Sequence, residues 1–160
     1  MKSQVTGLSK LPDLAGLEAE IAGRLGDTIK RAEQAVATEK TGALREFDLT
    51  VPQYTVLLAL SYTQGASGAQ LARLCLVTPQ TMTTVLSNLE AKGLVQRMPS
   101  SVHLKVLVTT LTRTGKALLK KADTKVRAVE ARLDGAFEPD ERTTLLELLT
   151  RATKVLNAGG

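Results

Sequence analysis

Residues 78–111 read TPQTMTTVLSNLEAKGLVQRMPSSVHLKVLVTTL, and the order of features in this stretch decides the fold. On a helical wheel at about 100° per residue, Met82, Val85, Leu86 and Leu89 share one arc and face a core. Gln80, Thr83, Thr84 and Ser87 point the other way, with Thr81 and Asn88 on a flank. Thr78 stands where an N-cap belongs, Pro79 occupies the first helical position, and Gly93 marks the end. Leu94 to Met98 and His103 to Thr109 then read as two strands joined by a Pro-Ser-Ser turn. A polar-faced helix running straight into a basic hairpin is how a nucleic-acid-reading element is built.

The surrounding charge is one-sided. Between Leu49 and Lys121 stand Arg73, Lys92, Arg97, Lys105, Arg113, Lys116, Lys120 and Lys121 against one acid, Glu90. The rest of the chain is slightly acidic, within a total of +5 and a pI near 9.5. Such a field attracts an anionic partner. Between Pro79 and Leu89, however, there is no charged residue. Surface helices usually carry Lys and Glu; short uncharged hydrogen-bonding side chains suit the major groove, where Gln pairs with adenine and a Thr methyl meets the thymine methyl. The competing reading is an ordinary amphipathic helix with a solvated polar face. Arg97 and Lys105, on either side of the turn, would lie near a DNA backbone and act through phosphate charge and counterion release. Their competing reading is solvated strand residues.

Upstream, the spacing of Leu14, Leu17, Ile21, Leu25, Ile29, Ala32 and Val36 predicts one helix beginning after Pro12, weakened by Gly16, Gly23 and Gly26. Thr50 and Gln53 form a T-x-x-Q capping box with Pro52 in the first turn, and the helix behind it runs through Tyr62 to Gly65. Ser67 and Gln70 form a second box opening the short helix GAQLARLCL. Three helices with tight connections within about 45 residues predict a helix-turn-helix. Downstream, residues 112–137 read as a long helix with Leu118, Ala122, Val126, Val129 and Leu133 on one stripe. A last helix follows Pro139, with Asp140 and Glu141 in its first turn, where they complement the helix dipole. Leu145, Leu148, Leu149, Ala152 and Leu156 form its stripe.

Residues 49–121 resemble the winged helix-turn-helix core of the MarR (multiple antibiotic resistance regulator) family. The matching residues are Leu49-Thr50-x-x-Gln53-x-x-x-Leu57, Leu71-Ala72, Thr78-Pro79-x-Thr81-x-Thr83, Leu89-Glu90-x-Lys92-Gly93-Leu94-Val95-x-Arg97 and Leu111-Thr112-x-x-Gly115. The resemblance implies a mainly α fold with a two-stranded β-wing. Residues 49–111 would form the DNA-binding core, flanked by dimerisation helices at 12–45 and 112–158. It further implies an obligate homodimer that represses genes from a palindromic operator on double-stranded DNA and leaves it when a small ligand or oxidant acts. Two recognition helices related by a two-fold axis should meet half-sites about one helical turn apart. Gln80, Thr81, Thr83, Thr84, Ser87 and Asn88 are then the base-facing candidates; Ser67, Gln70, Thr78, Arg97, His103 and Lys105 are backbone or wing candidates.

The chain departs from the family pattern at three places. His103-Leu104-Lys105 stands where an Asp-x-Arg is usual at the wing tip, Thr84 and Asn88 stand where Arg is frequent, and Leu76 occupies a turn that often contains Gly. With little Arg available for guanine, recognition should lean on A·T-rich half-sites and DNA shape.

Other residues carry less. Phe47, Tyr54 and Tyr62 border the region where the family holds a ligand, so a phenolic or carboxylate effector is one expectation; service as aromatic core fillers is the favoured one. Cys75 follows Leu71 and Leu74 on an apolar face, which favours a buried structural thiol over a redox switch. His103 is the sole histidine. It is read as a solvated hairpin residue in preference to a pH-sensitive contact. One His and one Cys make a transition-metal site a poor expectation, and no cofactor is expected. The sequence holds no G-x-x-x-x-G-K-[ST], no G-x-S-x-G and no histidine–carboxylate metal motif, so catalysis is not expected. With no secretory-type N-terminus and no membrane-length apolar run, the expected location is cytoplasmic, away from membranes. The alternative function keeps the fold and changes the partner: an architectural protein binding DNA without sequence preference, or a winged helix used for protein contacts.

Overall fold

The computed structural model describes residues 14–100 and 106–158. The chain divides into an N-terminal unit ending at Thr38 and a larger unit from Glu39 onward. The N-terminal apolar repeat forms two helices rather than the single one expected: α1 (Leu14–Ala22) and α2 (Leu25–Leu44). Between them the Gly23 amide donates to Ala19 and the Arg24 amide to Ile21. Gly23 and Gly26 bracket the break, where two residues of low helix propensity fall within one turn.

In the larger unit, the end of α2 leads through a single 3₁₀ turn (Arg45–Phe47) to α3 (Val51–Ser61). Strand β1 (Ala66–Ser67), α4 (Gly68–Leu74), α5 (Pro79–Ala91), β2 (Val95–Pro99) and β3 (Leu107–Leu111) follow. The helices α6 (Arg113–Asp134) and α7 (Pro139–Asn157) complete it. The sheet is antiparallel in the order β1-β3-β2, with Arg97 opposite Thr109 and Ala66 on the other side of Thr109. Two expectations change here. The wing hairpin acquires a third, two-residue strand, and the described part of its second strand, Leu107–Leu111, runs past the expected end at Thr109; His103 to Lys105 lie outside the described residues. The Ser100 amide donates to the Val106 carbonyl (2.8 Å).

Core formation follows the wheel. Met82, Val85, Leu86 and Leu89 of α5 are buried with Val56, Leu57 and Leu60 of α3, Leu71 and Ala72 of α4, and Leu94 and Val95 at the start of the wing. Helix α6 adds Leu119, Ala122 and Val126. Of the expected stripe, Ala122 and Val126 are buried and Leu118 packs half-buried against the core beside the buried Leu119, while Leu133 is 41% exposed. No residue of α7 is buried.

Two hydrogen bonds tie α6 to the chain leaving α5. At the start of α6, the Thr112 amide donates to the Leu94 carbonyl (3.1 Å) and its hydroxyl to the Gly93 carbonyl (2.7 Å). Gly115 permits this approach, because a Cβ there would stand 2.0 Å from the Leu94 carbonyl oxygen. Helix α6 is thereby pinned to the chain leaving α5.

Candidate nucleic-acid interface

The entry to α5 is built from two threonines. Thr78 is extended (φ −68°, ψ 154°), and its hydroxyl oxygen accepts from the Thr81 amide at 3.1 Å. The two hydroxyls lie 2.9 Å apart. Thr78 and Thr81 thus spend hydrogen-bonding capacity on the helix start itself. Gln80, Thr81, Thr83, Thr84, Ser87 and Asn88 are all exposed, Gln80, Thr83, Thr84 and Ser87 on the face away from the buried quartet and Thr81 and Asn88 on its flank. The Thr83 hydroxyl donates to the Pro79 carbonyl (3.0 Å) and that of Thr84 to Gln80 (3.4 Å). With the protons engaged, both present a methyl group and an oxygen lone pair outward.

Preceding α5, Leu76 holds a left-handed conformation (φ 54°). This is the position where a glycine would be unstrained, and a branched side chain there costs roughly 1–2 kcal/mol. The turn is nonetheless firmly closed: the Cys75 amide donates to Leu71, Leu76 to Arg73, and Val77 to Ala72.

The cations behave differently from their sequence appearance. Arg97 is ion-paired rather than freely solvated in this structure. Its guanidinium donates from Nε (2.8 Å) and Nη2 (2.5 Å) to the Glu90 carboxylate, and its side chain is 23% exposed. That hydrogen bonding holds the Glu90 carboxyl below the usual carboxylate range. Lys92, the C-cap of α5, donates to the backbone carbonyl of Asp48 and pairs with its carboxylate at 2.8 Å. Both ties escaped the sequence reading. Asp48 lies one residue outside the charge-counted window, and seven residues separate Glu90 from Arg97 with no single periodicity spanning helix and strand. Arg113, Lys116, Lys120 and Lys121 belong to α6, away from the α5 sequence. Ser67 and Gln70 form a reciprocal cap: Ser67 Oγ accepts from the Gln70 amide (3.3 Å), and Gln70 Oε1 accepts from the Ser67 amide (2.9 Å). His103 and Lys105 lie outside the described residues.

The three aromatic candidates separate. Tyr54 is buried, and its hydroxyl donates to Asp123 at 2.7 Å; Arg127 Nε donates to the other carboxylate oxygen at 2.6 Å. Burial first, then the Asp123 bond, pushes the Tyr54 hydroxyl well above its ordinary value. Partial burial pushes Asp123 upward, but the bonds from Arg127 and Tyr54 outweigh it and its pKa falls. Phe47 is half-buried against the core, whereas Tyr62 is 74% exposed and so fills no core position. A cavity of about 390 Å³ between α3 and α6 is lined by Leu58, Ser61, Tyr62, Lys116, Leu119, Lys120 and Asp123. Tyr62 lines it; Tyr54 reaches its edge only through Asp123, and Phe47 does not line it. Cys75 is half-buried at the end of α4, and burial pushes its thiol upward, away from the reactive thiolate. Among the described residues, no group of three or more His, Cys, Asp or Glu is placed to hold a metal ion. Nor is any described helix long and apolar enough to cross a membrane.

Comparison with known proteins agrees with this architecture. A MarR-family model matches residues 47–104. The HTH-type transcriptional repressor Rv2887 of Mycobacterium tuberculosis is 42% identical over 109 residues, 68% of this chain and 78% of that protein. The transcriptional repressor CouR bound to a 23-mer DNA duplex aligns with a TM-score of 0.77 at 28% identity, covering 84% of this chain and 95% of that one. Rv2887 in complex with DNA aligns with a TM-score of 0.64 at 36% identity, covering 81% and 98%. Its complex with p-aminosalicylic acid gives the same score and identity over 82% and 99%. With the capped recognition helix, the wing and the α6 clamp all in place, this chain belongs to the MarR family of transcriptional regulators.

Proposed function

We propose that this protein is a homodimeric transcriptional repressor that binds a palindromic operator through α5 and is released by a small aromatic acid. The observation that carries the reading is the outer face of α5. Six exposed, uncharged hydrogen-bonding side chains stand on a helix whose opposite face is buried and whose end is tied down by Glu90–Arg97 and Lys92–Asp48. A rigid helix with adaptable polar tips reads base edges; free cations would bind any duplex. The DNA complexes of CouR and Rv2887 support the assignment.

Gln80, Thr81, Thr83, Thr84, Ser87 and Asn88 face the bases in this reading. Thr78, Ser67 and Gln70 lie beside the backbone, with Lys105 and His103 on the wing and Arg97 bracing the wing against α5. Dimerisation falls to the terminal helices. Leu145, Leu146, Leu148 and Leu149 of α7 are 38–51% exposed, a stripe that a second copy would cover. The effector class follows from the α3–α6 cavity, where Lys116 and Lys120 offer charge to a carboxylate, Leu58 and Leu119 offer apolar walls, and Tyr62 a ring. The Rv2887 complexes with p-aminosalicylic and salicylic acid support this class. Such a regulator acts by binding, not catalysis, and works in the cytoplasm beside its DNA.

The test is a competition titration at fixed salt. Binding to a selected duplex should exceed binding to a scrambled one by roughly a thousandfold or more. Salicylate should weaken the specific complex in the wild type and lose that effect in Lys116→Ala/Lys120→Ala. Equal affinity for both duplexes would mean an architectural protein and would overturn the assignment.

A further inference from the structure

We infer that Leu76 is a DNA-contacting residue, placing its side chain against the duplex at the edge of each half-site; this rests on the operator-binding role of α5. Leu76 is 92% exposed, more than any other large apolar side chain described. It also holds a left-handed backbone conformation, φ 54°. These two facts conflict with a structural role. The side chain adds nothing to the core of its own chain, yet its Cβ is the source of the strain, and glycine would hold the same turn without that strain. Folding alone therefore supplies no reason for leucine here. Backbone strain tends to persist where function requires it.

The position identifies the partner. Leu76 lies two residues before Thr78, the N-cap of α5, so their Cα atoms are within roughly 7 Å. Any docking that brings the start of α5 to base edges brings Leu76 to the adjoining groove wall, where deoxyribose and thymine methyl groups offer apolar surface. The turn holding it is closed by three successive backbone hydrogen bonds, from Cys75, Leu76 and Val77, so the side chain is presented on a fixed support. A contact of this kind adds affinity without a charge, in keeping with an α5 face that has none. The side chain is not interchangeable with the polar candidates, because its contribution is area removed from water.

The test compares wild type, Leu76→Gly and Leu76→Ala on the duplex that wild-type protein selects from random DNA, with thermal unfolding measured in parallel. Leu76→Gly should raise the unfolding midpoint by about 2–4 °C while weakening binding to the selected duplex by roughly tenfold. Leu76→Ala keeps the strained φ and should weaken binding similarly without that gain in stability. Improved folding with worsened binding is an outcome that a purely structural residue cannot give. Either variant binding within twofold of wild type would overturn the inference while leaving the role of α5 intact. A wild-type protein that selects no duplex would overturn both.

Discussion

Between Leu44 and Val126 the chain completes a core by itself, whereas α7 completes nothing. Every described fully buried residue lies between these two positions, while the last helix, equally apolar along one stripe, leaves Leu148 at 46% and Leu156 at 79% exposed. Apolar periodicity is the same signal in both regions, and it reports only that a face will be covered. Which molecule covers it depends on the neighbours. Helix α5 finds α3, α4 and β2 within its own chain; α7 leaves its stripe exposed, and in the proposed reading a second copy covers it. The contrast separates a self-contained core from a helix whose apolar face is left uncovered, the face proposed for dimerisation.

Substitutions that attack that face should have the largest effect on function. Replacing Leu145 and Leu149 by Asp places charges in the proposed dimer face and should convert the protein to a folded monomer in sedimentation experiments. Operator affinity should fall by orders of magnitude, since both half-sites are then no longer bound together. A monomer that kept full affinity would erase the distinction between the two regions. Next comes the clamp. Gly115→Ala drives a methyl group into the Leu94 carbonyl oxygen and should cost about 3 kcal/mol in chemical denaturation, with the wing and α6 both displaced. An unchanged midpoint would show that α6 can move away freely.

On α5, Gln80→Ala should relax preference at one base pair by about 1–3 kcal/mol and leave stability alone. Lys105→Ala should flatten the salt dependence of binding by about one unit. Arg97→Ala should change that slope less, because Glu90 already neutralises it, and should instead loosen the wing from α5. Because Glu90 titrates below the ordinary carboxylate value, the Glu90–Arg97 tie is fully present above about pH 4.3 and is lost as pH falls through the lower folded value. Carboxyl titration followed by NMR should show Glu90 returning upward in Arg97→Met. The smallest effect belongs to Thr109, whose buried hydroxyl has no partner among the described residues. Thr109→Val should be neutral or stabilising by about 1 kcal/mol.

The features legible in the sequence were those set by short-range chemistry. The Thr50–Gln53 and Ser67–Gln70 capping boxes both form, Thr78 caps α5, and Met82, Val85, Leu86 and Leu89 are buried as their spacing demands. A left-handed turn at Leu76 was also foreshadowed by the glycine usual at that place. Features that depend on distant neighbours were not legible. Strand β1 is two residues long and exists because β3 passes beside it. Leu118 and Leu119 are adjacent, and only the packing of α3 on α6 decides which turns inward. The pairs Lys92–Asp48 and Glu90–Arg97 cross element boundaries, so a charge count treats as free two cations that are already committed. Tyr54 and Tyr62 look alike in sequence, but one is sealed against Asp123 and the other stands at a cavity mouth.

The most direct measurement is selection of random duplex DNA by the purified full chain at about physiological salt, followed by sequencing. Enrichment of a palindrome whose A·T-rich half-sites lie about one helical turn apart is the expected result. Salt-sensitive binding without enrichment of any sequence would contradict the role assigned to the uncharged face of α5.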